Sequence, residues 1–443
     1  MNKNAAQVQP PVPRPQNAED TTPGAGARDL RRRDVLTGGL AVAAAAPLTA
    51  LAAPAAGATH LQKKAANGDT RLSMDSAHSL YTLPLDHQWH AGGIYDTGLL
   101  EEWHYWTGFF TDVDTGVEFG VFYNVFHEST GPETFRYRPY FSFGDFKAQH
   151  MTWTVQVMEV PLSAKAPPDS TSPDDFEYQA ETSNTSFNTT FRAQPDTWTL
   201  HFKSVASNDG GVPVIMDLAL KTQTPYGYMP MLPMGVENEN QPWTGKPDPS
   251  TMSSVSYYIG GPKTNAEGTV TIGTKVRKIK GSLWFEHQWG NFLVSKQPWA
   301  VSYVWSALQF NDGSIFTFRQ WYNQQNQPLL NLGRNSYSTP DGTTTYGFGE
   351  SVQWKGLATW KSPTTGRNYP TQSSVSTPFG TWYYTAVIND YEMPFGYPPY
   401  GNSGLTLWEG PCWLHTGSVT GPIVGKAFLE LPNGLTATYP PLP

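Results

Sequence analysis

Residues 101–127 read EEWHYWTGFFTDVDTGVEFGVFYNVFH, and this stretch decides the class of fold. An aromatic run enters a polar turn from Thr111 to Gly116. After the turn Phe119, Val121, Tyr123, Val125 and His127 fall on one face, and Glu118, Gly120, Phe122, Asn124 and Phe126 on the other. Successive side chains leave a strand on opposite sides, so a period of two reads as β-structure. The unit then recurs. WAVSYVWSALQF at 299–310, a turn at Asn311 to Gly313 and SIFTFRQWY at 314–322 repeat it 200 residues on, so that Trp103 falls on Tyr303 and Tyr105 on Trp305. Each copy follows an acid, a histidine, an amide and a tryptophan: Asp86-His87-Gln88-Trp89, then Glu286-His287-Gln288-Trp289. The four-residue echo together with two following strands argues for a tandem duplication.

Composition agrees with this reading. A chain of 443 residues has room for two or three domains. Aromatics make up 14% and charged residues only 15%, with 41 Gly and 38 Pro, which suits strands joined by many turns. Helix-forming runs are nearly absent after residue 66. The strands expected from alternation and spacing are Tyr140–Phe143, Met151–Val160, Thr185–Ala193, Trp198–Ser204, Val214–Thr222, Val255–Ile259, Thr269–Ile272, Val276–Leu283, Ala300–Phe310, Ser314–Tyr322, Gly347–Lys355, Tyr383–Val387, Leu405–Thr416 and Ile423–Leu431. Residues Pro161–Asp175 and the proline-rich Pro225–Ser253 read as loops, the second as a candidate lid. Even spacing favours an all-β protein of two up-and-down barrels, 77–265 and 266–443, with a single large sandwich as the competitor.

The N-terminus reads as an export signal. Arg31-Arg32-Arg33-Asp34-Val35-Leu36 precedes a mildly apolar stretch from Thr37 to Ala53, and Ala-x-Ala sites follow at Ala50 to Ala52 and Ala56 to Ala58. Paired arginines before a weakly hydrophobic segment are of the twin-arginine type, so the translocase of that route is the expected partner during export. Residues 1–58 are then a signal, cleaved after Ala52 or Ala58, and 59–76 a linker. The mature protein is expected in the periplasm or secreted. Pro47 and two glycines interrupt the apolar stretch, which falls short of the ~20 apolar residues of a membrane span, so no stable insertion is expected. Cleavage after Ala58 leaves 23 basic and 33 acidic residues, a net charge of −10, which weighs against nucleic acid or anionic lipid as partner. The lone Cys412 allows no intrachain disulfide.

The tetrads belong to a longer pattern. EEWHYWTGF, SYYIGGPKTNAEGTVTIG leading to VRKIKGSLWFEHQWGNF, LQFNDGSIFTFRQWY and LWEGPCWLHTGSVTGPIVGKAFLEL, taken in order, resemble the AttH-like lipocalin family, which includes carotenoid 1,2-hydratases and kievitone hydratases. The resemblance runs from about Pro84 to Leu431. It implies two tandem lipocalin-like antiparallel β-barrels and an apolar ligand, with water addition to an alkene, or cyclisation, as the chemistry. The chain departs from the pattern in having Glu286 where the family string has aspartate. It also lacks a carboxylate in Ser314 to Arg319, which weighs against carotenoid hydration.

Hydrating an isolated alkene needs a strong acid to protonate carbon, aromatic faces to stabilise the cation, and a base to take a proton from water. A carboxyl in an apolar site stays protonated near neutrality and can serve as the acid; tryptophan and tyrosine faces attract the cation. Glu286, His287 and Trp289 supply one of each. On a strand, however, Glu286 and Gln288 face one way and His287 and Trp289 the other. His287 and Trp289 are therefore the expected inward pair, with Glu286 supporting or lying between domains. Trp103, Tyr123, Tyr303 and Trp305 are the expected ligand walls. The competing reading is structural: the His-x-Trp pair buttresses a core, Tyr123 packs, Glu101 and Glu102 serve a solvated turn, and Glu409 satisfies backbone amides. His87, His90 and His104 lie close in sequence, but the His-x-x-His of 87 and 90 has no third ligand at fixed spacing and no Cys supports it, so no metal is expected. No Gly-rich phosphate loop follows a strand and opens a helix, so no cofactor of the nucleotide kind, and none other, is expected; no G-x-S-x-G elbow is present, which speaks against an α/β-hydrolase. The ligand class is an isoprenoid or polyketide-like small molecule, and a carrier without chemistry is the alternative to an enzyme.

Overall fold

The structure, a computed structural model, describes residues 101–131, 134–160, 162–223, 236–238, 255–290, 302–323, 327–330, 333–348, 351–394 and 406–432. The signal, the linker, Asp86 to His90 and most of Pro225–Ser253 lie outside the described residues. No α-helix occurs among those described.

Twelve strands build the first sheet: β1 (Glu101–Asp112), β2 (Glu118–Gly131), β3 (Thr134–Asp145), β4 (His150–Val155), β5 (Ser163–Lys165), β6 (Phe176–Glu181), β7 (Ser186–Arg192), β8 (Thr197–Val205), β9 (Pro213–Thr222), β10 (Val236–Asn238), β11 (Val255–Ile272) and β12 (Lys275–Gly290). Ten build the second: β13 (Ser302–Phe310), β14 (Ile315–Tyr322), β15 (Arg334–Ser338), β16 (Thr344–Phe348), β17 (Gln353–Lys361), β18 (Asn368–Thr377), β19 (Gly380–Ala386), β20 (Glu392–Pro394), β21 (Thr406–Thr416) and β22 (Ile423–Pro432). The first runs β4-β3-β2-β1-β12-β11-β9-β8-β7-β6-β5 with β10 on β11. The second runs β16-β15-β14-β13-β22-β21-β19-β18-β17 with β20 on β21. Every pairing is antiparallel, and each sheet curls into a half-barrel around its own core.

The two orders are one plan used twice. In each sheet the first strand pairs with the second and with the last, and a short strand hangs on the penultimate one. So β1 corresponds to β13, β2 to β14, β11 to β21 and β12 to β22. The turns match as well. Asp112 Oδ1 accepts from the amides of Asp114 and Thr115 at 2.9 and 3.0 Å, and Asp312 Oδ1 from that of Ser314 at 2.8 Å. Gly116 and Gly313 take φ of 71° and 92°, a region open to glycine without steric cost.

The halves divide later than the sequence reading places them. Residue 265 lies inside β11, which absorbs the two short strands expected there through a bulge between Gly261 and Thr264. The chain leaves the first sheet only between Gly290 and Ser302. The second tetrad therefore stands on the last strand of the first sheet, paired with β1, and does not head the second.

Alternation sorts the side chains into three cores. Trp106, Tyr123, Val125, Trp198, Leu283 and Phe285 fill the first half-barrel, and Val304, Phe316, Tyr384, Trp408 and Leu429 the second. The opposite faces of the central strands meet in a seam of Tyr105, Phe122, Phe126, Tyr258 and Trp284 against Trp305, Ile315, Leu407 and Phe428. Beside this seam β1 and β12 approach closely. A Cβ at Gly281 would stand 2.0 Å from the Phe109 carbonyl oxygen, and one at Gly108 2.2 Å from that of Ser282. Because backbone cannot swing aside, Gly281→Ala is expected to cost roughly 1–3 kcal/mol, read as a lower thermal midpoint.

Candidate active site

Even-numbered residues of β1 enter the first half-barrel and odd-numbered ones enter the seam; on β12 the parity is reversed. His287 and Trp289 thus point inward and Glu286 points to the seam, as alternation requires. Inside, His287 Nε2 lies 2.7 Å from Glu102 Oε1, and His127 Nδ1 lies 3.7 Å from Glu102 Oε2. The His287 ring stacks on His104 at 3.9 Å and meets Trp289 at 4.4 Å. Cross-strand register explains the cluster: Glu102 stands opposite both Trp289 and His127, and His104 opposite His287. Glu101 and Glu102 are both buried, not in a solvated turn. Tyr123 also lies here, stacked on Trp106 at 5.7 Å.

The seam holds a different set. In the first sheet Asn124, Tyr105, Glu286 and Gly260 are successive cross-strand neighbours. In the second the corresponding rung is Arg319, Trp305, Glu430 and Glu409. Glu286 and Glu430 occupy equivalent places in the repeat. Tyr258 donates its hydroxyl to Glu286, whose same oxygen also accepts from the Trp284 indole at 2.8 Å. Tyr303 donates to Glu430, and Tyr105 crosses between the sheets to donate to Glu409. Trp305 meets Tyr105 edge-on at 5.7 Å and Trp284 at 6.1 Å. Trp103 stacks on Phe126 at 5.2 Å nearby. With Tyr303 and Glu430 it is only half-buried, so the seam is not sealed there.

Enclosure by protein governs the protonation of these acids. Burial pushes the Glu286 carboxyl up to about 8 from 4.5, against the hydrogen bonds from Tyr258 and Trp284, with the Glu430 charge adding to the rise. Burial lifts Glu430 to about 7, while Tyr303 and Arg319 hold it down. Glu409 stands well above its ordinary value through burial first and the neighbouring Glu430 second. The consequence for stability has a definite sign. Below about pH 4.5 both folded and unfolded chains keep these protons. As pH rises the unfolded chain ionises first, so the fold loses stability until the pH passes about 7 for Glu430 and about 8 for Glu286. Glu286→Gln should therefore gain on the natural chain between pH 5 and pH 9, by an amount on the order of several kcal/mol in denaturant titrations. A difference that does not vary with pH would show that the acid is already ionised.

The expected wall residues do not line one space. Trp103, Tyr303 and Trp305 face the seam, whereas Tyr123 belongs to the first half-barrel, the side on which His287 and Trp289 also lie. The sequence reading passed over Tyr105, Tyr258, Trp284, Arg319 and Glu430. A signal for Glu430 was present: Ala427-Phe428-Leu429-Glu430 matches Leu283-Trp284-Phe285-Glu286 in its apolar run ending in glutamate. Among the described residues no group of three or more His, Cys, Asp or Glu is arranged to hold a metal ion.

Residues 75–434 match the family model described as AttH-like. The chain belongs to the AttH-like family. Among solved structures of this fold is a putative AttH from Nitrosomonas europaea, 16% identical, with a TM-score of 0.60 over 80% of this chain and 96% of that one. Kievitone hydratase from Nectria haematococca is 14% identical, with a TM-score of 0.47 over 75% of this chain and 88% of that one. CghA with Sch210972 is 11% identical, with a TM-score of 0.47 over 76% and 89%. No curated protein matches the chain. The AttH-like fold is thereby established for both sheets.

Proposed function

We propose that the chain is a cofactor-independent hydratase, or a related lyase or cyclase, that acts on an alkene-bearing apolar small molecule in the seam between the sheets. One observation carries this reading: Glu286 is a carboxyl that stays protonated near neutrality, held by Tyr258 and Trp284 among aromatic rings. A general acid that protonates the alkene must still hold its proton at the working pH, and burial among apolar rings keeps the proton on Glu286. The tertiary cation that follows needs electron-rich faces, and Trp284, Trp305 and Tyr105 supply them, at roughly 0.5–2 kcal/mol per ring. The family resemblance read in the sequence points to the same chemistry. In this reading the acid works in the seam, and His287 and Trp289 sit on the other side of β12.

The test begins from the protein itself. Native mass spectrometry and solvent extraction of the purified chain are expected to yield an apolar alkene. The natural chain should convert it to a product heavier by one water, or to a cyclised isomer. A ligand that is carried and never changed would replace the enzyme by a carrier.

We further propose export by the twin-arginine route, resting on Arg32, Arg33 and the weakly apolar segment after them. Replacing both arginines with lysine should leave the precursor in the cytoplasm. Normal export in cells lacking that translocase would overturn the proposal.

A further inference from the structure

The seam rung of the second sheet carries two carboxyls, Glu409 and Glu430, where the matching rung of the first carries one, Glu286. Glu409 and Glu430 stand directly opposite each other on neighbouring strands β21 and β22. Each is bound by a tyrosine of different origin, Glu409 by Tyr105 from the first sheet and Glu430 by Tyr303 of the second. Arg319 lies at the far end of the same rung, beyond Trp305. The other titratable groups around the pair are Glu286 on β12 and Tyr391 ahead of β20. Carboxyls on directly opposite cross-strand residues disfavour each other's ionisation, and the charge of Glu430 raises Glu409. The seam also keeps polar atoms without partners. The Trp305 indole N–H is 3% exposed by residue and makes no hydrogen bond, and the Asn124 side-chain oxygen, on the facing rung at 7%, is likewise unmet. Buried polar atoms of this kind are costly unless something bound satisfies them.

We propose that Glu409 and Glu430 form one proton-sharing pair that serves as the base of the Glu286 site, with Glu430 as the carboxylate that receives the proton of water. This rests on the seam reading given above. The steps balance. Glu286 gives its proton to one alkene carbon as the π pair becomes a C–H bond. Water adds its oxygen to the cationic carbon. Its surplus proton passes to Glu430, and Glu286 is then reprotonated from the pair. Tyr105, cross-strand neighbour of Glu286 and donor to Glu409, stands between the two. The net change is addition of one water. Arg319 acts as a positioning residue: its charge favours ionisation of Glu430 over Glu409 and so divides the roles of base and acid.

The pair itself is tested without substrate, and turnover enters only to separate it from the acid. Infrared titration of the full chain between pH 5 and pH 10 follows the C=O stretch of protonated carboxylic acids, in a range where solvated Asp and Glu are already ionised. In a proton-sharing pair the member that ionises first raises the other. Glu430→Gln should move the Glu409 step to lower pH by about one pH unit or more, because the charge that raises it is gone, whereas Glu409→Gln should remove the upper step and leave the Glu430 step where it was or higher, since Glu430 ionises while Glu409 is still neutral. Tyr105→Phe, which leaves both acids in place, should raise the Glu409 step because a hydrogen bond to its ionised form is lost. A Glu409 step that stays where it was in both Glu430→Gln and Tyr105→Phe would overturn the pair. Shifts as expected with full turnover in Glu286→Gln would leave the pair standing and overturn only the acid. Loss of turnover in Glu286→Gln with no shifts would do the reverse.

Discussion

Glu286→Gln is expected to lower turnover of the carried alkene about 10²–10⁴-fold, the loss typical when a positioned general acid is removed. The amide keeps the volume of the acid, and its oxygen can still accept from Tyr258 and Trp284, so the seam should keep its packing. What it lacks is a proton to give. The natural chain should remain active while Glu286 is protonated and should lose activity as the pH passes about 8. Because the proposed base ionises at lower pH, near 7 for Glu430, the profile should be bell-shaped, rising as that group loses its proton and falling as Glu286 does. Full activity in the variant would place the acid elsewhere, and Glu409 or Glu102 would be the next carboxyls to replace.

How much of this was legible in the sequence depended on which residues alternate. The hairpin at 101–127 shows its period of two plainly, because aromatic and β-branched side chains fill both faces, and its parity correctly sorts Tyr123 and Val125 from Phe122 and Phe126. The same parity separates Glu286 from His287. Strands with polar inward residues stayed hidden. β15 buries Arg334, Asn335 and Ser336, and β18 reads NYPTQSSVST, so neither gives an apolar rhythm. The division between the sheets was misplaced because Ile259-Gly260-Gly261-Pro262 reads as a break, whereas β11 continues through it with a shift of register. The seam was hard to see for a different reason. Its acids come from β12, β21 and β22, and only the two-fold use of one strand order brings Glu286 opposite the rung that holds Glu409 and Glu430. A line of text shows the echo between 86–89 and 286–289 openly, whereas the equivalence of 286 with 430 leaves only a short apolar run ending in glutamate and is fixed by the pairing.

Glu102→Ala is expected to cost about 3–5 kcal/mol of stability, because removing one partner of a buried hydrogen-bonded pair strands the other. Both Glu102 and His287 have no exposed surface, and their atoms meet at 2.7 Å. Were His287 a group of the reaction, as its place in the expected inward pair implies, His287→Ala would cut turnover and leave the thermal midpoint nearly unchanged. The packing of His287 against His104, Trp289 and Glu102 predicts instead a large fall in the midpoint, with turnover lost only in proportion to folded protein. A double replacement separates the two. Glu102→Met with His287→Phe exchanges the pair for apolar groups of similar size, which often restores stability that either single change removes. Since both side chains lie on the face of β1 and β12 away from the seam, the double variant should also keep its turnover. A double variant that folds with a restored midpoint and has no turnover would return His287 and Trp289 to the reaction, and with them a second site inside the first half-barrel.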